Sequence, residues 1–94
     1  MPDLETRRYI ISGRVQGVGF RWFVEREAAQ LGLAGWVRNC DDGDVEVMAT
    51  GTAEQLGALR PKLQQGPRAA RVDHVSEAKA PLLDAPSFQI KGAF

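Results

Sequence analysis

The chain has 94 residues, of which 44% are hydrophobic and 26% charged, a composition typical of a globular domain and not of a disordered or fibrous chain. Twelve Lys and Arg balance twelve Asp and Glu, which excludes the net field that draws proteins broadly onto nucleic acid or anionic membranes. One cysteine and one histidine exclude an internal disulfide and a metal site built from several Cys and His ligands.

The first five residues are acidic where a secretory signal would be basic, and no apolar run of membrane-spanning length follows them. We therefore expect one domain over residues 1–94, located in the cytoplasm, with no membrane or nucleic-acid partner. We also expect a monomer.

The first predicted strand covers residues 7 to 12, a β-prone run that ends before a glycine-rich stretch. From Phe20 the apolar residues recur at helical spacing, which predicts a first helix, and Gly32 supplies its stop signal. The residues of its apolar stripe are Phe20, Phe23, Val24, Ala28 and Leu31.

Two strands joined by a tight turn are predicted next. Residues 34 to 40 suit the first, and Asp42 with Gly43 predicts the hairpin turn because both positions tolerate positive φ. The following strand alternates strictly, as expected where a sheet is covered on one face only. Its apolar face holds Val45, Val47 and Ala49.

A second helix is predicted from a capping box, in which Thr52 and Gln55 each satisfy a free backbone donor. Gly66 ends this helix. Its buried stripe consists of Leu56, Leu59 and Leu63.

Two further strands complete the chain. The fourth covers residues 69 to 79 and is expected to contain a bulge, because Val72 and Val75 lie three residues apart and break the alternation. Phe88 and Ile90 alternate with polar residues in a short terminal strand.

The predicted order is that of a ferredoxin-like α+β fold, βαββαβ with a short extra C-terminal strand. Amphipathic helices and one-sided strands favour a two-layer sandwich. Right-handed crossovers place both helices on one face of an antiparallel sheet, so the opposite face is expected to be exposed.

A glycine-rich loop joins the first strand to the first helix. Gly17 and Gly19 let backbone amides turn inward just before the helix, whose dipole adds positive potential, and such a loop suits a phosphate. Arg21 in the first helical turn opposes the dipole unless an anion lies between them. Its planar guanidinium can contact two phosphate oxygens at once.

Common nucleotide motifs do not fit this loop. The third glycine of a dinucleotide fingerprint is missing at position 22, and no Gly-Lys-Ser/Thr follows as in a Walker A loop, which disfavours NAD and ATP. On glycine spacing alone, a tight connection with a solvated Arg21 explains the segment equally well.

Two segments of the chain closely resemble the signature segments of the acylphosphatase family: the run from Gly13 to Arg21, and Gly35-Trp36-Val37-Arg38-Asn39. The similarity continues at Leu31-Gly32-Leu33, Asp42-Gly43, Val45-Glu46-Val47, Gly66-Pro67 and Phe88-Gln89-Ile90. The resemblance implies the ferredoxin-like fold and a hydrolase that acts on a small acyl phosphate without cofactor or metal.

The resemblance also implies roles for single residues. The backbone amides of residues 15 to 20 are expected to cradle the phosphate, the Arg21 guanidinium to bind it, and the Asn39 carboxamide to position the attacking water. The implied phosphate-binding set is Val15, Gln16, Gly17, Val18, Gly19, Phe20 and Arg21.

These groups suffice for the chemistry because the carboxylate of an acyl phosphate leaves without a proton, so no general acid is needed. The remaining task is to stabilise phosphoryl oxygens and align water. Since a carboxamide is a poor base, we expect a phosphate oxygen of the substrate to take the proton from the water.

Other conspicuous residues have simpler interpretations. Cys40 stands where many acylphosphatases carry a hydroxyl or apolar residue and is interpreted as a small buried side chain. His74 is interpreted as structural or solvent-facing, and the acidic residues 41, 42 and 44 as a turn, since they lack EF-hand spacing. Phe20 and Trp36 are interpreted as core residues.

Two other functions stay open at this point. A noncatalytic module that binds acyl or carbamoyl phosphate would show phosphate affinity without turnover, and related domains occur inside larger maturation proteins. Binding of single-stranded RNA on the open sheet face is disfavoured by the zero net charge and the 7% aromatic content.

Overall fold

Five strands and two helices follow one another in the computed structural model, which describes residues 3–92. The strands are β1 (Glu5–Arg14), β2 (Ala34–Asn39), β3 (Val45–Gly51), β4 (Arg71–Ala80) and β5 (Phe88–Ile90), and the helices are α1 (Phe20–Gln30) and α2 (Ala53–Gln65). The predicted elements and their order are confirmed, and the fold is the ferredoxin-like α+β sandwich.

The sheet has the strand order β4-β1-β3-β2-β5. Strands β1 to β4 pair antiparallel, as predicted. β5 pairs parallel with β2, so the prediction of a wholly antiparallel sheet is wrong for this strand. The cause is the loop between β4 and β5: β4 ends beside the start of β1, and the loop crosses the sheet at that same end, so β5 runs in the direction of β2.

Both helices pack on one face of the sheet and share one hydrophobic core with it. The fully buried helical side chains are Val24, Ala28, Leu56, Leu59 and Leu63. They meet the buried sheet residues Tyr9, Ile11, Val37, Val45, Val47 and Ala49. Burying a Val or Leu side chain stabilises a fold by about 1.5–3 kcal/mol. The predicted stripe of α2 is fully buried, whereas Phe23 and Leu31 of the predicted α1 stripe are partly buried against the core.

The loop between β4 and β5 lies across one end of the face that the helices leave open. Leu83 is its anchor: its amide donates to Thr6 Oγ1 at 2.9 Å, and its carbonyl oxygen accepts from Thr50 Oγ1 at 2.8 Å. The two hydroxyl oxygens lie 2.7 Å apart, and both threonines are buried. This end of the open face is therefore covered by the chain itself.

Glu46 is also buried on the open face, with 5% of its surface exposed. Arg38 from β2 donates from Nε to Glu46 Oε1 at 2.6 Å, and Arg8 from β1 donates from Nε to Glu46 Oε2. Burial alone raises the pKa of the Glu46 carboxyl, but the two guanidinium groups outweigh it and hold the pKa below its ordinary value.

A bulge in β4 lies beside the start of the glycine-rich loop. Ser12 pairs with His74 and Gly13 with Val72, so Asp73 is the extra residue and the predicted bulge is confirmed. Gly13 has φ +128°, and a Cβ there would lie 2.2 Å from the Arg71 carbonyl oxygen. Only glycine allows this close approach of the two strands.

The two aromatic residues interpreted as core differ. Phe20 is buried in the core, as predicted. Trp36 is wrongly assigned, because it alternates with the buried Val37 along β2 and so lies half-buried on the open face. There the Lys91 ammonium lies 4.5 Å from the centroid of the Trp36 ring.

Within residues 3–92, neither helix has the length and apolar content needed to cross a bilayer.

Candidate active site

The predicted site residues lie at one end of the sheet, where β1 and β2 both finish. These strands run in the same direction because each pairs antiparallel with β3. β1 leads into the glycine-rich loop and then α1, while β2 ends at Asn39. The topology thus places the loop, the start of α1 and Asn39 side by side.

The loop owes its shape to two glycines in the left-handed region, Gly17 at φ +73° and Gly19 at φ +78°. Gly19 is the N-cap of α1 and provides no side chain to occupy the first amides of the helix. A Cβ on either glycine would meet no atom within 4 Å in residues 3–92, so the requirement is for the backbone angle. The helix start is therefore open to an anion.

One cavity of about 230 Å³ brings most of the predicted residues together. It is lined by Val15, Gly17, Gly19, Phe20, Arg21, Trp22 and Asn39. The cavity thus has backbone amides at a helix start, a guanidinium and a carboxamide on its walls. These are three kinds of donor that suit a phosphoryl group.

Gln16 and Val18 belong to the loop, but their side chains point elsewhere. Val18 packs against the edge of the core. Gln16 Nε2 donates to the carbonyl oxygens of Cys40 at 2.7 Å and Asp44 at 2.9 Å, in the hairpin turn that begins directly after Asn39. The Gln16 side chain therefore ties the loop to the hairpin, a role that the sequence analysis missed because it assigned Gln16 through its backbone amide alone.

Arg21 lies half-buried in the first turn of α1. Its Nη1 donates to the Lys91 carbonyl oxygen at 3.5 Å, the long limit for a hydrogen bond. The Lys91 amide in turn donates to the Val37 carbonyl oxygen at 2.8 Å, which continues the pairing of β5 with β2. The C-terminal end of the sheet is thus in contact with the guanidinium, a relationship that spans too much sequence to predict from a motif.

His74 and the acidic turn agree with their sequence interpretation, whereas Cys40, interpreted as buried, is less buried than expected. Cys40 is half-buried, and burial raises the pKa of its thiol. His74 is exposed in β4. The acidic segment is a turn, in which the Asp44 amide donates to Asp42 Oδ1 at 3.0 Å and the Gly43 amide to the Cys40 carbonyl oxygen at 3.2 Å.

Trp22 is the cavity residue that the sequence analysis missed altogether. It is 70% exposed, although it is large and apolar. The signal was available: Trp22 falls outside the apolar stripe of α1 and directly follows Arg21. An aromatic residue on the polar face of a helix, next to a proposed anion site, is a candidate for ligand contact.

Comparison with known proteins gives a match to one family over nearly the whole chain. The family model described as acylphosphatase matches residues 7–90. An acylphosphatase of Koribacter versatilis (strain Ellin345) is 59% identical over 91 residues, which are 96% of this chain and 83% of that protein.

Solved structures give the same fold. The crystal structure of acylphosphatase from Bacillus subtilis superposes with a TM-score of 0.90 at 40% identity, covering 96% of this chain and 100% of that one. HypF of T. kodakarensis superposes with a TM-score of 0.83 at 31% identity, covering 94% of this chain but 12% of HypF. The chain is therefore similar both to full-length acylphosphatases and to one part of a much longer protein.

Proposed function

This chain belongs to the acylphosphatase family and hydrolyses acyl phosphates; from that premise we propose that Arg21 and the loop amides bind the phosphoryl group while Asn39 positions water. The observation that carries this proposal is the shared cavity, which has Arg21, two loop glycines and Asn39 on its walls.

The phosphoryl group is held by two kinds of donor in the proposed mechanism. The amides of residues 15 to 20 surround its oxygens without carrying charge, and the Arg21 guanidinium adds two parallel charge-assisted hydrogen bonds. Because the phosphoryl oxygens carry the charge of the transition state, donors fixed before the reaction lower the barrier without reorganisation.

Asn39 holds the attacking water in line with the bond that breaks. In the proposed mechanism its carbonyl oxygen accepts a hydrogen bond from the water. The water oxygen bonds to phosphorus as the bond from phosphorus to the acyl oxygen breaks. The carboxylate leaves with that electron pair, and the water proton passes to a phosphoryl oxygen.

Gln16 has two parts in this scheme. Its backbone amide belongs to the proposed cradle. Its side-chain Nε2 donates to the carbonyl oxygens of Cys40 at 2.7 Å and Asp44 at 2.9 Å and so fixes the hairpin turn. Cys40 follows Asn39 directly, so the distance between cradle and water position depends on these two bonds. Gln16 is therefore a positioning residue.

We further propose that the enzyme is a monomeric single domain and that it acts in the cytoplasm on a small acyl phosphate. Residues 15 to 21 and Asn39 belong to one chain, so the proposed site needs no second copy. The alternative, a noncatalytic module that binds acyl or carbamoyl phosphate, predicts phosphate binding without turnover.

The test is hydrolysis of benzoyl phosphate, followed in the ultraviolet with and without EDTA, for the wild type, Arg21→Ala and Arg14→Ala. Arg14 is a matched control because it is an exposed arginine at the end of β1. We expect Arg21→Ala to lower kcat/KM by about 10³-fold or more. Arg14→Ala should change it by about twofold at most, since exposed charges are screened.

EDTA should leave the wild-type rate unchanged. Retention of more than about a tenth of the activity by Arg21→Ala would contradict the proposed clamp, because a removed charged clamp costs far more. Phosphate binding by a wild-type chain without turnover would favour the noncatalytic alternative.

A further inference from the structure

Trp22 stands where the phosphate cavity meets two surface grooves. The larger groove, about 770 Å³, runs from the start of α1 to the end of α2 and is called the α1–α2 groove. Its lining includes Gly19, Trp22, Phe23, Pro67, Arg68 and Ala70. The smaller groove, about 500 Å³, lies beside β5 and is called the β5 groove; its lining includes Arg21, Trp22, Glu25, Gln89 and Ile90.

We propose that the α1–α2 groove receives the acyl group of the substrate, and that Trp22 makes the enzyme favour aromatic acyl groups over acetyl. This assignment rests on the proposed binding of the phosphoryl group in the neighbouring cavity, because the acyl group is bonded to that phosphoryl group and must extend from it.

Continuity with the phosphate cavity supports the assignment. Gly19 and Trp22 line both spaces, so a ligand can pass from one into the other along the Trp22 ring. The groove adds about 770 Å³ beside the phosphate cavity of about 230 Å³, so it has room for an acyl group that extends out of the cavity.

The surface of the groove suits an apolar ring. Phe23, Pro67 and Ala70 offer apolar contacts, and Trp22 is 70% exposed. Among residues 3–92, the other exposed large apolar side chains are Leu4 and Leu82, which belong to the opposite end of the sheet. Trp22 is thus the exposed apolar group next to the site, and offset stacking on it would favour an aromatic acyl group.

Charge favours the same groove. The leaving carboxylate gains negative charge as its bond to phosphorus breaks. The α1–α2 groove has Arg26 and Arg68 against Glu25. Arg26 also pairs with Glu27 at 3.3 Å, and Lys62 pairs with the same carboxylate at 2.9 Å, so three cations face two carboxylates here. The β5 groove balances Arg21 against Glu25, and the guanidinium there is already engaged with the phosphoryl group in the proposed mechanism.

The test uses the ratio of kcat/KM for benzoyl phosphate to kcat/KM for acetyl phosphate in the wild type, Trp22→Ala and Trp22→Phe. We expect Trp22→Ala to lower this ratio about fivefold to tenfold and Trp22→Phe to keep most of it, since a smaller ring can still stack. A ratio unchanged by Trp22→Ala would overturn the role of Trp22, even if both rates fell together.

A matched pair of exposed glutamines distinguishes the two grooves. Gln65→Trp places a large side chain in the α1–α2 groove and Gln89→Trp places one in the β5 groove. The proposal expects Gln65→Trp to change the ratio more than about threefold in either direction and Gln89→Trp to leave it within twofold. A change with Gln89→Trp, or with neither variant, would overturn the assignment to the α1–α2 groove.

Inhibition by inorganic phosphate separates this proposal from the proposed function. Phosphate lacks an acyl group, so its inhibition constant reports the cavity alone. If Arg21→Ala leaves that constant unchanged, the proposed phosphate site fails whatever the ratio shows. If Arg21→Ala raises it and Trp22→Ala leaves the ratio unchanged, only the acyl assignment fails.

Discussion

The side-chain amide of Gln16 donates to the carbonyl oxygen of Cys40 at 2.7 Å, although 24 residues separate them. A second bond from the same nitrogen reaches the Asp44 carbonyl oxygen at 2.9 Å. The glycine-rich loop is thereby fixed to the turn that begins after Asn39. The side chain of Gln16 thus connects the first segment that resembles a family signature to the turn that directly follows the second.

Gln16→Glu is expected to lower kcat at pH 7 by about tenfold or more, because the variant keeps the shape but replaces the donors with a carboxylate that faces two carbonyl oxygens. Displacing a positioned group by about 1 Å can cost 10²-fold in rate. The measurements are kcat for benzoyl phosphate and the inhibition constant of phosphate, with the exposed Gln64→Glu as a control for charge. An equal loss in both Glu variants would exclude a positioning role.

Asn39→Ala is expected to lower kcat by about 10²–10³-fold while phosphate inhibition stays within about threefold, because the variant loses the group that aligns water. Steady-state kinetics with phosphate as inhibitor separates the two effects, and circular dichroism checks the fold. If phosphate affinity were lost and turnover of bound substrate kept, Asn39 would be a phosphate ligand and not a water-positioning residue.

Gly13→Ala is expected to destabilise the fold by more than about 2 kcal/mol, because φ +128° is strained for alanine and its Cβ would lie 2.2 Å from the Arg71 carbonyl oxygen. Urea denaturation measures this change. The control is Gly57→Ala in α2, where a Cβ meets no atom within 4 Å among the described residues. That variant should be stabilised by about 0.5–1 kcal/mol through helix propensity, and equal destabilisation of both would refute the backbone argument.

Glu46 makes stability depend on pH in the acid range. Its folded pKa lies below the ordinary 4.5, so its ion pairs contribute fully above that value and are lost as the pH falls through the folded pKa. Glu46→Gln should cost about 1–2 kcal/mol at pH 7, since Arg8 and Arg38 are half-exposed and can be rehydrated. It should also flatten the fall in stability below pH 4.5.

The exposed pair of Arg71 and Asp73, at 3.0 Å, supplies the control for the Glu46 prediction. Asp73→Asn should cost less than about 0.5 kcal/mol, because exposed ion pairs contribute little. Urea denaturation at pH 7 and pH 3.5 compares the variants, and a Glu46→Gln variant with the wild-type pH dependence would show that other carboxyls dominate.

The sequence predicted what depends on local chemistry. Alternation, helical spacing and the capping box of Thr52 and Gln55 predicted the strands and helices. The three-residue separation of Val72 and Val75, which breaks the alternation, predicted the bulge. The predicted antiparallel pairing was wrong for β5, because the direction of this strand depends on how the preceding loop crosses the sheet, and no local sequence pattern encodes that path.

The candidate site also combines features that the local sequence predicts with contacts that only the folded chain creates. Gly17, Gly19 and Arg21 carry their chemistry in the local sequence, and the structure places them around one cavity. The contacts of Gln16 depend on how distant segments meet, so periodicity does not reveal them. Trp22 is recognisable in the sequence as an aromatic residue outside the apolar stripe of α1, and such a residue indicates a ligand contact only once a neighbouring anion site is known.

Three segments far apart in the chain meet at the guanidinium and its neighbours, and the Arg21 to Lys91 contact alone spans 70 residues. An unfolded chain therefore retains no preformed anion site, so phosphate that binds as proposed would bind the native molecule and not the denatured one. By mass action, phosphate at a hundred times its dissociation constant shifts the folding equilibrium by about 2.7 kcal/mol. The reaction product of the proposed enzyme is thus expected to raise the free energy of unfolding as a specific ligand.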